Sequence, residues 1–263
     1  MIHFAVTVAY DGSPFVGWQR QATGTSVQGV LEEALAALDE RHVDVAGAGR
    51  TDAGVHALGQ VASFTMQRGI DAPTLVRATN ARLPPEVRII DAWTVQSSFH
   101  ARFSAVSKTY LYRIWNGDVL NPFDRGHAWH MPVALDVAQM QQAACAIEGE
   151  HDFAAFQATG AAPGPTVRVV TASRLSTGAA APPFDARLSV PRPAGCLLTY
   201  EISGSGFLRH MVRGIVGTLV EIGRGRRGAE TMAAILRSRD RREVGQTAPA
   251  HGLFLMRVDY DVG

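Results

Sequence analysis

Gly49-Arg50-Thr51-Asp52-Ala53-Gly54-Val55-His56 brackets one carboxylate between two glycines, and an alternating apolar run from Val55 to Phe64 follows at once. The glycines allow turn geometry that a side chain would forbid. A carboxylate on such a turn faces a cleft with little steric cover, and Arg50 beside it suits holding it ionised or gripping a phosphate. An aspartate between glycines also closes an ordinary Asx turn. The rest of the chain has to decide between chemistry and a turn.

Around this stretch the sequence reads as alternating strands and helices. His3 to Tyr10 places Phe4, Val6, Val8 and Tyr10 at period two, as in a half-buried strand. Thr25, three residues before Gln28, predicts a capping box, with Val27, Val30, Leu31, Ala34, Leu35 and Leu38 at helical spacing behind it. Val43-Asp44-Val45 predicts a strand running into the Asp52 turn. Asp71-Ala72-Pro73 opens a second helix, since proline is tolerated in the first turn. Further strands are expected over 87–95, 107–115, 168–175, 196–202 and 253–260, and helices over 133–147 and 207–222. Strands and helices mix without strict alternation, which predicts an α+β fold. The Ala- and Pro-rich stretch Gly178 to Pro193 reads as a surface insertion.

Composition narrows the class. At 263 residues, 46% hydrophobic and 19% charged, the chain suits one large or two modest globular domains. No apolar run reaches the roughly 18 residues of a membrane span. The start lacks the basic head of a signal peptide, so the cytoplasm is expected. Cys145 and Cys196 are the only cysteines, too few for a disulfide framework or a cysteine metal site. The net charge of +1 does not announce a nucleic-acid binder, yet 24 of the 25 basic residues are arginine, a planar fork suited to phosphate and to stacking on bases. A basic face requires the acids Glu32, Glu33, Asp39 and Glu40 to lie elsewhere.

Gly49-Arg50-Thr51-Asp52-Ala53-Gly54-Val55-His56-Ala57 resembles the signature of the tRNA pseudouridine synthase A family, and further segments agree in order. Tyr10-Asp11-Gly12 and Phe15-Val16-Gly17-Trp18-Gln19 match the family's opening. Phe99-His100-Ala101-Arg102-Phe103, Lys108-Thr109-Tyr110-Leu111-Tyr112-Arg113 and His151-Asp152-Phe153 with Phe156 follow. His210-Met211-Val212-Arg213 with Ile215-Val216-Gly217, and Ala248-Pro249-Ala250-His251-Gly252-Leu253, complete the set. The resemblance spans nearly the whole chain. It implies a pseudouridine synthase fold, two related α/β halves with mixed or antiparallel sheets flanking a central cleft: residues 1–105 carrying the catalytic aspartate, and residues 106–263.

Rival chemistries fail on spacing. A dinucleotide fingerprint counted from Gly47 and Gly49 would need a third glycine where Asp52 stands, and a carboxylate there would face the pyrophosphate. The single lysine, Lys108, is not in a P-loop. Gly204-Ser205-Gly206 lacks the spacing of a nucleophile elbow. His56, His100, His127, His130 and His210 show no metal-ligand spacing, so no metal is expected. Arg213 sits in a helix that looks buried, where a guanidinium should meet a carboxylate, a helix acid such as Glu221 or Asp52; the alternative is plain solvent exposure with Arg209 one turn earlier. Tyrosines alternating on a strand, as Tyr110 and Tyr112 do, are usually packing residues, and Trp18, Phe99, Phe103 and Trp115 read mostly as core. Arg102 on an extended segment would point opposite to Ala101 and Phe103.

The resemblance implies isomerisation of uridine to pseudouridine at positions 38, 39 and 40 of the tRNA anticodon stem-loop, with no cofactor. It implies Asp52 as nucleophile, Tyr110 stacked on the target uracil and serving in proton transfer, and Arg213 paired with Asp52. Arg50, Phe99, His100 and Arg102 would contact RNA, with Arg50 and Arg102 holding the gap left by a flipped base. A homodimer sharing one tRNA is implied as partner arrangement. After Phe156-Gln157 the chain carries Gly160-Ala161-Ala162-Pro163-Gly164 where the family often has polar or basic residues. The competing readings are a non-catalytic RNA-binding or tRNA-chaperone protein on the same scaffold, and a synthase acting on other RNA sites.

Overall fold

The alternation near the N-terminus becomes β1 (Ile2–Tyr10), whose middle residues Phe4, Ala5 and Val6 are all buried in a computed structural model that describes residues 1–160, 164–178 and 194–261. The chain divides into two compact units. The first comprises Met1–Lys108 and the segment from Phe254 onward, the second Thr109–Leu253.

In the first unit, β1 pairs antiparallel with β3 (His56–Met66) on one side and β4 (Val87–Thr94) on the other, and β10 (Leu253–Tyr260) lies parallel to β3. The strand order is β4-β1-β3-β10. β3 is buried almost throughout rather than alternating, so both of its faces are covered. The strand expected from Val43 shortens to β2 (Ala46–Gly47), paired to Ala62 and Ser63 of β3. Helix α1 (Val27–Asp39) buries Val27, Leu31, Leu35 and Leu38. Its cap is Ser26, not Thr25: the Ser26 hydroxyl accepts from the Gly29 amide at 3.1 Å. The Gln28 side chain is spent elsewhere, donating to the Val45 carbonyl and accepting from the Arg20 amide, so the capping box is overturned. Helix α2 (Ala72–Asn80) starts as expected, with Asp71 accepting from the Thr74 amide at 2.7 Å and proline in its first turn.

In the second unit the strands run β5-β9-β8-β7, where β5 is Ala105–Asn116 (entering the unit at Thr109), β7 Gly149–Asp152, β8 Val167–Gly178 and β9 Cys196–Gly204. β8 pairs antiparallel with both β7 and β9, and the short β6 (Trp129–Met131) adds parallel to β5. Helix α3 (Val137–Cys145) begins four residues later than expected because Asp136 caps the Gln139 amide at 3.0 Å. Helix α4 (Met211–Gly223) likewise begins after Phe207 to His210, and is buried except at Arg213 and Glu221. A short α5 (Thr231–Ser238) was not expected from the sequence. Among the described residues the architecture is thus α+β, with mixed pairing and five α-helices. No helix among them is long and apolar enough to cross a membrane. Residues 179–193 of the proposed insertion and 161–163 of the Gly160–Gly164 loop lie outside the described residues.

One acid at the end of α1 ties that helix to the strand beyond it. The Asp39 carboxylate, almost fully buried, accepts the amides of Gln67 at 3.0 Å and Arg68 at 2.7 Å, with Arg41 Nε 3.6 Å away. Burial alone would raise its pKa, but the two amides and the charges of Arg41 and Arg68 outweigh it and bring it below the ordinary 3.8. A depressed folded-state pKa means the stabilisation is complete above 3.8 and is lost as pH falls through the lowered value. Asp39→Asn is therefore expected to lose about 1.5–3 kcal/mol at pH 7, the size of hydrogen bonds to a charged group. Thermal melts at pH 7 and pH 3 check this: the gap between variant and wild type should narrow in acid, and a constant gap contradicts it.

Candidate active site

The Asp52 turn is built by residues some forty positions upstream. After β1 the chain folds back so that Gly17 bridges Asp52 and the Trp18 amide donates to the Thr51 carbonyl at 3.1 Å. Thr51 is buried, its hydroxyl sharing a 2.8 Å hydrogen bond with that of Tyr10. Burial pushes the Tyr10 phenol up to about 12, against opposing hydrogen bonds from Thr51 and Gln60, so it stays protonated at neutral pH. The Gln60 side chain, fully buried, donates to the Gly49 carbonyl at 2.8 Å. Past the aspartate, the Val55 amide returns to the Asp52 carbonyl at 3.1 Å, a tight turn that needs Gly54 at φ +75°. Gly12 and Gly17 are required for the approach: a Cβ on Gly12 would collide with the Val55 carbonyl, and one on Gly17, at φ +113°, would lie 2.6 Å from the Thr51 carbonyl oxygen.

His56 anchors the far end. It is buried, stacks on Phe254 with ring centroids 4.7 Å apart, and its Nδ1 lies 3.1 Å from both the Gly12 amide and the Asp11 carboxylate. Neutral, that nitrogen accepts from Gly12; protonated, it donates to Asp11. Asp52 itself is half-buried and Arg50 exposed. The backbone on both sides of the carboxylate is therefore fixed while Asp52 stays half-buried, the arrangement expected of a positioned reactive group.

The Phe99–Phe103 segment forms a second part of this unit. Phe99 is half-buried against Tyr260 at 5.0 Å, and Ala101 is pinned by donors from both directions: its amide to Ser63 at 3.0 Å, and the Tyr260 hydroxyl to its carbonyl at 2.7 Å. The Ser104 amide closes a turn onto the His100 carbonyl at 2.9 Å. This turn overturns the extended reading. Phe103 does not join the core but is 76% exposed, with the Arg102 guanidinium 5.4 Å over its ring and His100 4.4 Å from it. A rigidly anchored cluster of an exposed aromatic, an arginine and a histidine is suited to stacking and phosphate contact.

Tyr110 and Arg213 belong to the second unit, whereas Asp52, Arg50, Phe99, His100 and Arg102 belong to the first. Tyr110 is buried on β5 with Phe207 edge-on at 5.1 Å. Arg213 is tied to Ala248 in both directions: its Nε donates to the Ala248 carbonyl at 2.7 Å, and the Ala248 amide donates to the Arg213 carbonyl at 3.0 Å. Glu221, the helix acid considered as its partner, is held by Arg227 at 2.9 Å and by the Gln246 amide. Tyr112 donates to the Pro249 carbonyl at 2.7 Å; burial raises its pKa, the Arg213 charge opposing. His251 is half-buried; burial holds its pKa below the ordinary 6.5, the charges of His127 and Arg213 acting in the same sense and a bond to Ala128 opposing. This favours its neutral form at pH 7.

Three participants escaped sequence reading. His251 and the Tyr10–Thr51 hydroxyl pair have only their membership of quoted motifs as a signal, Phe207 lies outside them, and nothing in their spacing marks them.

A family model described as tRNA pseudouridine synthase matches residues 6–104 and 143–261. The tRNA pseudouridine synthase A of Solibacter usitatus is 45% identical over 263 residues, covering 99% of this chain and 100% of that protein. The enzyme of the same name from Methylacidiphilum infernorum is 42% identical, with 99% and 96% covered, and that from Syntrophotalea carbinolica 44% identical, with 96% and 94% covered. With the glycine-bracketed aspartate embedded in a match of this extent, the chain belongs to the tRNA pseudouridine synthase family.

Proposed function

We propose that this chain isomerises uridine to pseudouridine in the anticodon arm of tRNA, at positions 38 to 40, with Asp52 as nucleophile. The observation that carries the reading is the Asp52 turn, immobilised by Tyr10, Gly17, Trp18 and Gln60 while Asp52 is only half-buried. A turn that only connected two strands would not require so many buried anchors.

The reaction breaks the C1′–N1 bond, turns the uracil over and forms a C1′–C5 bond, with N1 gaining a proton and C5 losing one. Ionised Asp52 attacks C1′ as the C1′–N1 bond breaks, or adds to C6, and in either scheme its bond to the nucleotide breaks again before pseudouridine is released. Tyr110 presents its ring to the uracil and serves the proton transfer at C5, and Arg213 supplies positive charge to the reacting carboxylate. The target base is reached only by leaving its stack, a step costing a few kcal/mol. Arg50, His100 and Arg102 hold the RNA around the vacated position, Phe99 shapes that segment, and the exposed Phe103 ring adds a stacking surface. No redox change or group donor enters the balance, so no cofactor or metal is invoked. The same reading has the chain working in the cytoplasm as a homodimer that shares one tRNA between two subunits, which pools the positive faces of a nearly neutral chain.

Asp52→Asn keeps the size and much of the hydrogen bonding but removes charge and nucleophile. It is expected to form no detectable pseudouridine while still binding tRNA, measured by nucleoside analysis and filter binding. Undiminished turnover would remove Asp52 from the chemistry, whereas tRNA binding with no pseudouridine formed by the wild-type chain would favour the chaperone reading, which needs binding alone.

RNA held through arginine weakens steeply as salt rises, because condensed counterions are released. Arg50→Ala and Arg102→Ala are each expected to lower turnover on whole tRNA at limiting concentration and to flatten the dependence of log Kd on log salt by about one. Wild-type binding and turnover in both variants would make them ordinary surface arginines.

A further inference from the structure

Between Arg224 and Glu243 the chain carries seven arginines against three acids, Glu230, Asp240 and Glu243. Everywhere else 18 basic residues face 21 acidic ones. A chain with net charge +1 thus concentrates its positive excess in one stretch of the second unit. The acids considered at the sequence level, Glu32, Glu33, Asp39 and Glu40, are all on or next to α1 in the first unit.

Folding gathers this stretch around Glu243. The Arg227 guanidinium donates to the Glu243 carbonyl, and the Ser238 hydroxyl donates to the Glu243 carboxylate at 2.7 Å. That brings the loop after α4, the end of α5 and the turn over 241–243 together. The cluster is also tied to the loop beyond Phe156: Arg241 donates to the Gln157 carbonyl at 2.6 Å, and the next amide, Ala158, donates to the Arg209 carbonyl at 3.0 Å. Arg209 stands four residues before Arg213. The arginine cluster is therefore continuous, through two backbone residues, with the entry to α4.

Part of the charge is balanced locally, Arg227 by Glu221 at 2.9 Å, Arg239 by Asp152 at 3.2 Å and Arg242 by Asp240, and Arg241 is half-buried. Charge nevertheless reaches solvent. Arg226 and Arg237 are exposed and, among the described residues, carry no ion pair or side-chain hydrogen bond; the Arg242 side chain is 91% exposed. Exposed ion pairs contribute little to stability, and an excess of like charge held together works against the fold. Guanidinium forks presented outward match phosphate oxygens.

We propose that the Arg224–Arg242 cluster binds the sugar–phosphate backbone of the RNA substrate, a contact surface separate from the residues assigned to the reacting nucleotide. The proposal rests on the tRNA reading above and adds the place on this chain where RNA is gripped without reading its bases.

The test is a triple variant, Arg226→Ala, Arg237→Ala and Arg242→Ala, in the full chain, with Kd for intact tRNA measured by filter binding across a salt series. The Kd at low salt should rise about tenfold, and the slope of log Kd against log salt should fall by about one for each arginine that meets a phosphate. The matching triple lysine variant should keep most of the slope, because charge and not packing carries the effect. An alanine triple with wild-type Kd and slope overturns the proposal, as does a lysine triple that loses as much as the alanine one. Pseudouridine formation by the wild-type chain, scored on the same tRNA, separates the two readings. If it forms while the alanine triple binds normally, only the arginine surface is wrong. If none forms, the reaction is wrong, and the salt slopes still decide the surface.

Discussion

The constraint on which the rest depends is the close approach of the chain after β1 to the Gly49–Val55 turn. Two backbone segments some forty residues apart meet with almost no side-chain volume between them, which only Gly12 and Gly17 permit. Once they meet, the Tyr10–Thr51 hydroxyl bond, the Trp18 amide and the Gly12–His56 contact fix the turn from three directions. The sheet supplies the rigidity: Tyr10 ends β1, His56 begins β3, and the two strands are paired along most of their length. The backbone that carries the carboxylate is thereby held by groups other than the carboxylate itself.

The second unit repeats this strategy with different parts. Its irregular segment is Ala248 to Gly252, and it is held by a helix and a strand at once. Arg213 on α4 bonds Ala248 in both directions, Tyr112 on β5 bonds Pro249, and the absence of a side chain at Gly252 leaves room for the Tyr112 ring. Arg213 is in this way a structural residue of its own unit as well as a cation, so its substitution would disturb the 248–252 segment as well as any charge it supplies. Strain collects nearby. His210, immediately before α4, adopts φ +65°, unusual for a residue with a side chain.

Much of the fold was legible because its signals are local. The closing strand, the opening strand and the Asp71-capped helix declare themselves by period and by cap chemistry. What failed was where two local signals compete or where none exists. Thr25 and Ser26 are both good caps, and only the reach of the Ser26 hydroxyl to Gly29 decides between them. The short α5 shows Met232, Ile235 and Leu236 at helical spacing, but eight residues give too brief a pattern to stand out. Phe103 is exposed because a turn over 100–104, closed by one backbone bond, replaces the extended segment that the alternation suggested. Of the candidate site, the motifs located the aspartate turn, but the anchors beneath it are long-range. Nothing in the local pattern around Gly12 or Gln60 says that they support residues forty and eleven positions away. The grouping of arginines around Glu243 is equally invisible before the loop after α4 and the end of α5 are brought together.

The central claim is chemical: this chain converts uridine to pseudouridine in tRNA. The most direct measurement is base-resolution mapping of pseudouridine in cellular tRNA after the protein is removed and again after it is restored. Modification in the anticodon arm should vanish on removal and return on restoration, with other pseudouridines untouched. A map unchanged by removal, or changed only outside tRNA, would contradict the account.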